Sequence, residues 1–341
     1  MAKDIDMPKV SVVMPVFNGE QFVKEAVQSI LAQTYTDFDF IIIDDGSTDR
    51  TLDILSRIRD SRIRLVTHRQ NQGLIDSLNE GFRLSTGEYV ARMDCDDVAH
   101  PSRLSKQVLF LDRNTSIGAV GSSVRTIGTK IDRIRPPGGH ELIKISCLFD
   151  SPMVHPSVIL RKDVLSDPVY DKSYTHAEDY ELWTRLLLKG VRLHNLSDEL
   201  LDYRVHNAQV STQYRSMQVG AADAVRSIWV SKLGLDLVDS NMGLHRAIAL
   251  RSLKEVDSPF KVIDYLEKLN DLNRVNRVFD QGLFRGDLLA RSLSLLATVQ
   301  LAPTESIKRL FKSSLMGNDI FMKRSFYRFI YKTFGSYFSG R

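Results

Sequence analysis

Over roughly the first hundred residues, the apolar positions switch repeatedly between two rhythms. Val10–Phe17 (VSVVMPVF), Phe38–Ile43 (FDFIII), Ile63–Val66 and Glu88–Met93 (EYVARM) are short, nearly continuous apolar runs rich in β-branched residues, each of strand length. Between them, Val23–Leu31, Thr51–Ile58 and Leu74–Leu84 carry apolar residues at helical spacing, as in Val23, Ala26, Val27, Ile30 and Leu31. Apolar strands alternating with amphipathic helices predict a parallel sheet covered on both faces. Ligands of such sheets gather at the carboxyl ends of the strands. The polar clusters of this chain fall at those ends: Pro15–Glu20, Asp44–Asp49, His68–Gly73 and Asp94–Asp97.

After Pro101 the rhythm changes. Arg103–Leu111 and Tyr180–Leu188 read as helices, Gly118–Ile127, Ser157–Leu160 and Glu199–Val205 as strands, and Arg135–His140 (RPPGGH) as a breaker-rich loop. From about Thr212 no strand pattern is visible and the chain reads as helices. The expected organisation is an α/β domain over residues 1–211 followed by a helical region over 212–341. The end of that region is basic and aromatic. Arg324, Arg328 and Lys332 form a helical stripe, with Met322, Phe326, Phe329, Ile330 and Tyr337 opposite. Such a helix suits either the surface of an anionic membrane or packing against the α/β domain or a second copy of the chain.

Composition narrows the class without deciding it. With 341 residues, 43% apolar and 26% charged, the chain can bury a sizeable core, and a net charge of +4 is mild. Cys95 and Cys147 make neither a disulfide framework nor a zinc-ligand pattern, which fits a reducing cytosol. The N-terminus MAKDIDMPKV has no apolar core of a signal peptide, and no stretch approaches the roughly 18 apolar residues of a membrane span. A cytoplasmic protein is expected, peripheral at a membrane if the tail binds lipid. Basic residues interleave with aromatics only at the very end, so no nucleic-acid partner is expected.

The chemistry centres on Asp94-Cys95-Asp96-Asp97. Three carboxylates within four residues repel one another unless a cation sits among them, and oxygen ligands suit Mg²⁺ or Mn²⁺. The plainer reading is a solvated acidic turn. The buried strand before it and three other polar strand ends favour the metal. Its acids should also raise the pKa of Cys95 and blunt its reactivity. Asp44-Asp45-Gly46-Ser47 combines turn chemistry at Gly46 and Ser47 with an Asp44 carboxylate that could accept hydrogen bonds from a base or ribose. Pro15–Glu20 is neither a dinucleotide fingerprint nor a Walker A loop, so a diphosphate here would be met by metal rather than by a glycine cradle.

Together, SVVMPVFNGE, IIIDDGSTD, NQGLIDSLNEG, GEYVARMDCDD, HPSRL, AEDYELW and YRVH resemble the inverting GT-A glycosyltransferases of family 2, over about the first 210 residues and in the family's order. The resemblance implies a Rossmann-like, mostly parallel sheet with helices on both faces and a C-terminal helical region. Residues 1–98 would form the nucleotide-sugar half and 99–211 the acceptor half. Pro15, Val16, Asn18 and Glu20 would line the nucleoside pocket, and Asp44 would bind uracil or ribose. Arg69 would lie near the base or diphosphate. Asp94 would touch ribose and metal, Asp96 the metal, and Asp97 would be an additional acid. Asp45 and Cys95 are grouped with the donor residues. The partners implied are a nucleotide-sugar donor, with UDP favoured, and a glycan or lipid-linked acceptor.

Glu178 and Asp179 begin a helix whose apolar face is Tyr180, Trp183, Leu186 and Leu187. Acids there are favoured by the helix dipole alone, and Trp183 reads as core. The family resemblance instead implies a catalytic base in this pair, Asp179 first and Glu178 second. In Tyr203-Arg204-Val205-His206, Arg204 could pair with a leaving diphosphate and His206 could bind metal or phosphate, unless the segment is only a packed strand. His100 and His155, each before a proline, read as structural. Two other classes compete. A sugar-nucleotide nucleotidyltransferase would want a glycine-rich basic loop after the first strand, which PVFNGEQF does not supply. A non-catalytic nucleotide-sugar-binding module would not need every acid the family expects.

Overall fold

The computed structural model describes residues 7–206, 215–236, 239–252, 256, 258–296, 309 and 312–316. Among them, nine strands form one sheet: β1 (Val10–Val16), β2 (Phe38–Asp44), β3 (Ile63–Thr67), β4 (Tyr89–Arg92), β5 (Val98–Ala99), β6 (Ile117–Gly128), β7 (Arg133–Ile134), β8 (Ile159–Arg161) and β9 (Arg192–Val205). The order is β3-β2-β1-β4-β8-β6-β9-β5, with β7 paired to β6. The first four strands are parallel, as their apolar runs predict, and β6 and β9 are parallel to each other. The remaining pairings, β4 with β8, β8 with β6, β7 with β6 and β5 with β9, are antiparallel.

Both faces of the parallel part are covered. Val10, Val12, Met14 and Val16 of β1 pack with Val23, Ala26, Val27 and Ile30 of α1 (Val23–Leu31), Leu55 of α2 (Thr51–Ser56) and Leu104, Val108 and Leu111 of α4 (Arg103–Arg113). The alternate residues point the other way. There Val13 meets α3 (Leu74–Leu84) so closely that a Cβ on Gly81 would lie 2.4 Å from its Cγ1. Pro15 sits inside a central strand, a position normally closed to proline. The Val13 carbonyl accepts from Met93 on the β4 side and the Val16 carbonyl from Asp45 on the β2 side, so residue 15 also faces β4. The β1–β4 ladder ends at Val13 opposite Arg92, so no partner is lost.

The chain divides into two compact units. Met1–Ile143 with Ser151–Ala222 contains the sheet, and Lys144–Asp150 with Asp223–Arg341 is helical. The division falls inside α7 (Arg215–Lys232), later than the 211/212 boundary expected from the sequence, and 144–150 joins the second unit. Cys147, Leu148 and Phe149 are buried there, and Phe149 stacks on His245 at 4.9 Å. Within this unit Asp223 bridges Arg226, at 2.6 Å, and Arg246. The other helices are α5 (His140–Ser146), α6 (Glu178–Leu188), α8 (Asp239–Ala249), α9 (Pro259–Asn276) and α10 (Gln281–Leu296).

Some local details differ from those expected, and one expectation falls on residues not described. β9 begins at Arg192 rather than Glu199, because bulged pairing along β6 hides its alternation. The two-residue β5 and the short α5 were not foreseen. The basic-aromatic stripe of Arg324, Arg328 and Lys332 lies outside the described residues. No described helix is long and apolar enough to cross a membrane.

Candidate active site

The strand order changes direction between β1 and β4, and their carboxyl ends open the crevice where ligands of such sheets bind. Loops from different strands meet there. A Cβ on Gly19 would come within 3.3 Å of the Cys95 sulfur. Pro15 and Val16 are buried at the end of β1, in register with Ile43 and Asp44.

The first two loops are laced together. Asn18, at φ +50°, donates its N–H to Ser47 Oγ at 3.0 Å, and its Oδ1 accepts from the Thr48 N–H at 2.8 Å. Gly19 N–H donates to Thr51 Oγ1 at 2.8 Å. Glu20 N–H donates to Asp49 Oδ2, and Glu20 Oε2 accepts from the Arg50 N–H, each at 3.0 Å. Asn18 and Glu20, expected as pocket-lining residues, thus have side chains that join the loops and shape a wall. Asp45 needs a similar correction. Its Oδ1 accepts from the Gln72 N–H at 2.8 Å and lies 2.7 Å from His68 Nδ1, while Oδ2 accepts from the Gly73 N–H at 2.8 Å. It frames the third loop rather than offering an open acceptor. Asp44 differs: it is buried, and its Oδ1 has no hydrogen-bond partner among the described residues. A buried acceptor left so is costly unless a ligand donor reaches it. Arg69 is exposed on the rim of the third loop.

At the end of β4, one carboxylate oxygen each from Asp94, Asp96 and Asp97 lies within 4.8 Å of the others. Arg92, buried in the strand, forms an ion pair with Asp94. Burial opposes the Arg92 cation, but Asp94 more than offsets this and holds the guanidinium protonated. Burial first, and Asp94 and Asp96 next, push the Asp97 carboxyl well above the usual carboxylate range. Asp97 Oδ1 accepts from the Arg204 N–H at 2.8 Å, whereas Oδ2 is buried without a hydrogen-bond partner among the described residues. Burial and these acids also push the Cys95 thiol up, which leaves it unreactive.

His206 Nε2 lies 2.9 Å from Asp96 Oδ2, so the expected histidine does reach the acidic turn. Asp97, which the sequence reading left outside the metal set, belongs to the cluster. Arg204 was expected to face a diphosphate. Its Nε–H donates instead to the Asp96 carbonyl at 2.7 Å, Nη2 to Glu25 Oε2 at 2.6 Å, and the guanidinium covers the Phe22 ring at 4.5 Å. It braces the turn. The same reasoning finds a role for Arg103, buried behind the turn with Nη2 donating to the Arg92 carbonyl at 2.7 Å.

Glu178 and Asp179 open α6, whose N-cap position is Ala177. Glu178 is buried; burial first and the Asp179 charge second push its carboxyl up to about 7. A helix dipole favours exposed acids but does not require burying one. Asp179 is half-buried, and the Ser151 hydroxyl donates to its Oδ2 at 2.9 Å. Trp183 is core, as expected, and His155 is a half-buried structural partner of the Tyr170 hydroxyl at 2.8 Å. Arg92 and Ser151 were missed as site residues. Only Arg92 had a usable signal, a charged residue inside an apolar strand.

Comparison with known proteins agrees with this arrangement. The model of glycosyl transferase family 2 matches residues 11–167. An uncharacterized glycosyltransferase of Haemophilus influenzae is 34% identical over 275 residues, covering 75% of this chain and 83% of the relative. The O-antigen biosynthesis glycosyltransferase WbnJ of Escherichia coli is 34% identical over 211 residues, covering 58% and 80%. The fold matches S. aureus TarS 1-349 in complex with UDP-GlcNAc, with a TM-score of 0.56, 18% identity, and coverage of 85% of this chain and 91% of that one. It also matches the mannosyltransferase PcManGT of Pyrobaculum calidifontis in complex with GDP-Man and Mn²⁺, with a TM-score of 0.54, 16% identity and coverage of 98% and 88%. With a GT-A sheet, an Asp44 carboxylate oxygen left buried without a partner among the described residues, carboxylates converging at the end of β4, and these relatives, the chain belongs to glycosyl transferase family 2.

Proposed function

We propose that this glycosyltransferase moves a sugar from a nucleoside-diphosphate donor to a hydroxyl of a glycan or lipid-linked acceptor, with inversion at the anomeric carbon, in the synthesis of a bacterial surface polysaccharide. The observation that carries the reading is the convergence of Asp94, Asp96 and Asp97 within 4.8 Å at the switch point of the sheet. The donor set is oxygen-rich, and the buried, partnerless Asp97 Oδ2 is what a cation would satisfy. Asp94 and Asp96, with Asp97 and His206 beside them, fit Mg²⁺ or Mn²⁺. Such an ion, when bound, neutralises charge building on a departing diphosphate.

The remaining steps belong to the chain. Asp44 accepts a hydrogen bond from the donor base or ribose, in a pocket walled by Pro15, Val16 and the linked loops, with Arg69 at its rim. Asp179 takes the proton of the acceptor hydroxyl as its oxygen bonds to the sugar C1 and the C1–O bond to the diphosphate breaks. The transition state is oxocarbenium-like, and one displacement inverts the centre. The Ser151 hydroxyl holds Asp179 oriented. Glu178, held partly protonated near neutrality, is the second residue for the base. A UDP-sugar is the preferred donor, from the motif resemblance and the UDP-GlcNAc carried by a protein of the same fold.

Incubation with a panel of UDP-, GDP- and dTDP-sugars, Mn²⁺ and a bacterial lipid-linked glycan extract tests the reading. Release of nucleoside diphosphate with transfer of label is expected. Release of pyrophosphate would mean nucleotidyl chemistry, and nucleotide binding without turnover would mean a binding module.

A further inference from the structure

His68 stands at the start of the β3–α3 loop with its side chain only 6% exposed. Its Nδ1 lies 2.7 Å from Asp45 Oδ1 and its Nε2 lies 2.6 Å from Glu80 Oε2. A carboxylate only accepts, so two such contacts require a hydrogen on each ring nitrogen. A neutral imidazole has one; the imidazolium has two. The rest of the loop hangs on the same group. Asp45 accepts from the Gln72 and Gly73 N–H groups, and the His68 N–H donates to the Asp44 carbonyl at 2.9 Å. On the other side the loop is pressed against the turn that follows β2: a Cβ on Gly46 would lie 2.6 Å from the Gln70 carbonyl carbon. Asp44, with its buried partnerless oxygen, is therefore walled by a segment whose shape depends on His68.

We propose that His68 is a positioning residue whose doubly protonated ring clamps the end of β2 to α3, holding the 69–72 loop against the nucleoside pocket, and that donor-nucleotide affinity falls when this proton is lost. The role in nucleotide affinity rests on the donor-site reading above. The clamp itself rests only on the contacts of His68.

The charged groups facing the ring are Asp45 from the end of β2 and Glu80 from α3. Burial works against the cation, yet the hydrogen bonds and charges of these two acids outweigh it and raise the pKa above the ordinary 6.5. The sign follows. The bridge is intact at low pH and is lost as pH rises through the raised value. Deprotonation leaves one carboxylate facing a ring nitrogen without hydrogen, and two acids then press on a neutral group.

The test uses the full chain. Ring nitrogens of His68, and the amides of Gln72 and Gly73, are followed by NMR from pH 5.5 to 9, and dissociation constants of UDP, GDP and dTDP with Mn²⁺ are measured over the same range. His68 should titrate above 6.5, with the Gln72 and Gly73 amides shifting at the same midpoint. Nucleotide affinity should fall about three- to tenfold above it, a fraction of one charge-assisted hydrogen bond. Glu80→Gln keeps the shape and removes one acid, so the midpoint should move down. His68→Gln should bind nucleotide weakly with no inflection at that pH. A His68 that is neutral at pH 6, a midpoint unmoved in Glu80→Gln, or nucleotide affinity that ignores the His68 midpoint would each overturn the proposal. If none of the three nucleotides binds at any pH, the donor reading fails and the nucleotide arm of the proposal with it. The ring and amide titrations then still decide whether the clamp exists.

Discussion

The two sides of the crevice hold their polar groups in opposite ways. On the side of β1, β2 and β3, the side chains that join the loops have found protein partners: Asn18 with Ser47 and Thr48, Glu20 with Arg50, and Asp45 with His68, Gln72 and Gly73. At the ligand end of these strands, Asp44 keeps a buried oxygen without a partner among the described residues. On the side of β4 and α6, like charges are crowded and partly buried. Asp94, Asp96 and Asp97 converge, Arg92 carries a buried positive charge among them, and Glu178 presses against Asp179. The first side is a finished frame that needs a ligand only at one atom. The second is an unfinished electrostatic arrangement, in which the Arg92 cation and the raised Asp97 carboxyl each relieve part of the repulsion. A pocket recognises best when its walls are already built, whereas a reacting centre works by holding charge where a transition state will need it.

Four changes would break or sharpen this contrast. Asp179→Asn keeps the shape and the Ser151 contact but removes the base. Sugar transfer should fall by about 10² or more while nucleotide binding stays, as measured by turnover alongside titration calorimetry; near wild-type turnover would pass the role to Glu178. On the framed side, Gly46→Ala should cost about 2 kcal/mol of folding stability, read from denaturant unfolding. Gly46 has φ +70°, and a Cβ there would meet the Gln70 backbone at 2.6 Å. An unchanged midpoint would mean that the third loop yields easily and is not a finished wall. Asp96→Ala should weaken Mn²⁺-dependent nucleotide binding by roughly tenfold and leave metal-free binding as it was. An effect equal in EDTA would separate Asp96 from the metal.

The smallest effect concerns pH. Glu178 has its carboxyl raised from 4.5 to about 7 in the folded protein. Its unfolded form ionises first as pH rises, so the folded state loses stability from this group between those values, and the loss is complete above the upper one. Glu178→Gln should therefore melt a few degrees higher than the parent at pH 8 and closely match it at pH 4. An equal gain at both would show a packing effect instead of a buried charge.

Much of the fold was legible because parallel strands buried on both faces must be continuously apolar, and helices covering them must repeat near every third or fourth residue. The runs at Val10, Phe38, Ile63 and Tyr89 announced their strands for that reason. β9 was half hidden, because a bulged partner breaks the two-residue alternation on which reading a strand depends. The acidic turn was legible through its charge density, and the Glu178-Asp179 pair only through the family motif, since acids at a helix start have an ordinary explanation. What the expected residues do was less visible. Asn18, Glu20, Asp45 and Arg204 have the chemistry of ligand contacts and the geometry of braces.

By itself the sequence determined the alternation of strands and helices, the end of the sheet where polar groups collect, and the acids able to hold a cation. These follow from local periodicity and residue chemistry, which a chain carries at every position. Only the tertiary structure decided which polar atoms were already satisfied and which were left over, because a hydrogen bond between residues 18 and 48, or 68 and 80, is fixed by how distant segments pack. It also decided that residues 144–150 belong with the helices that follow Asp223. The burial of Cys147, Leu148 and Phe149 among those helices is a three-dimensional fact with no signature along the chain.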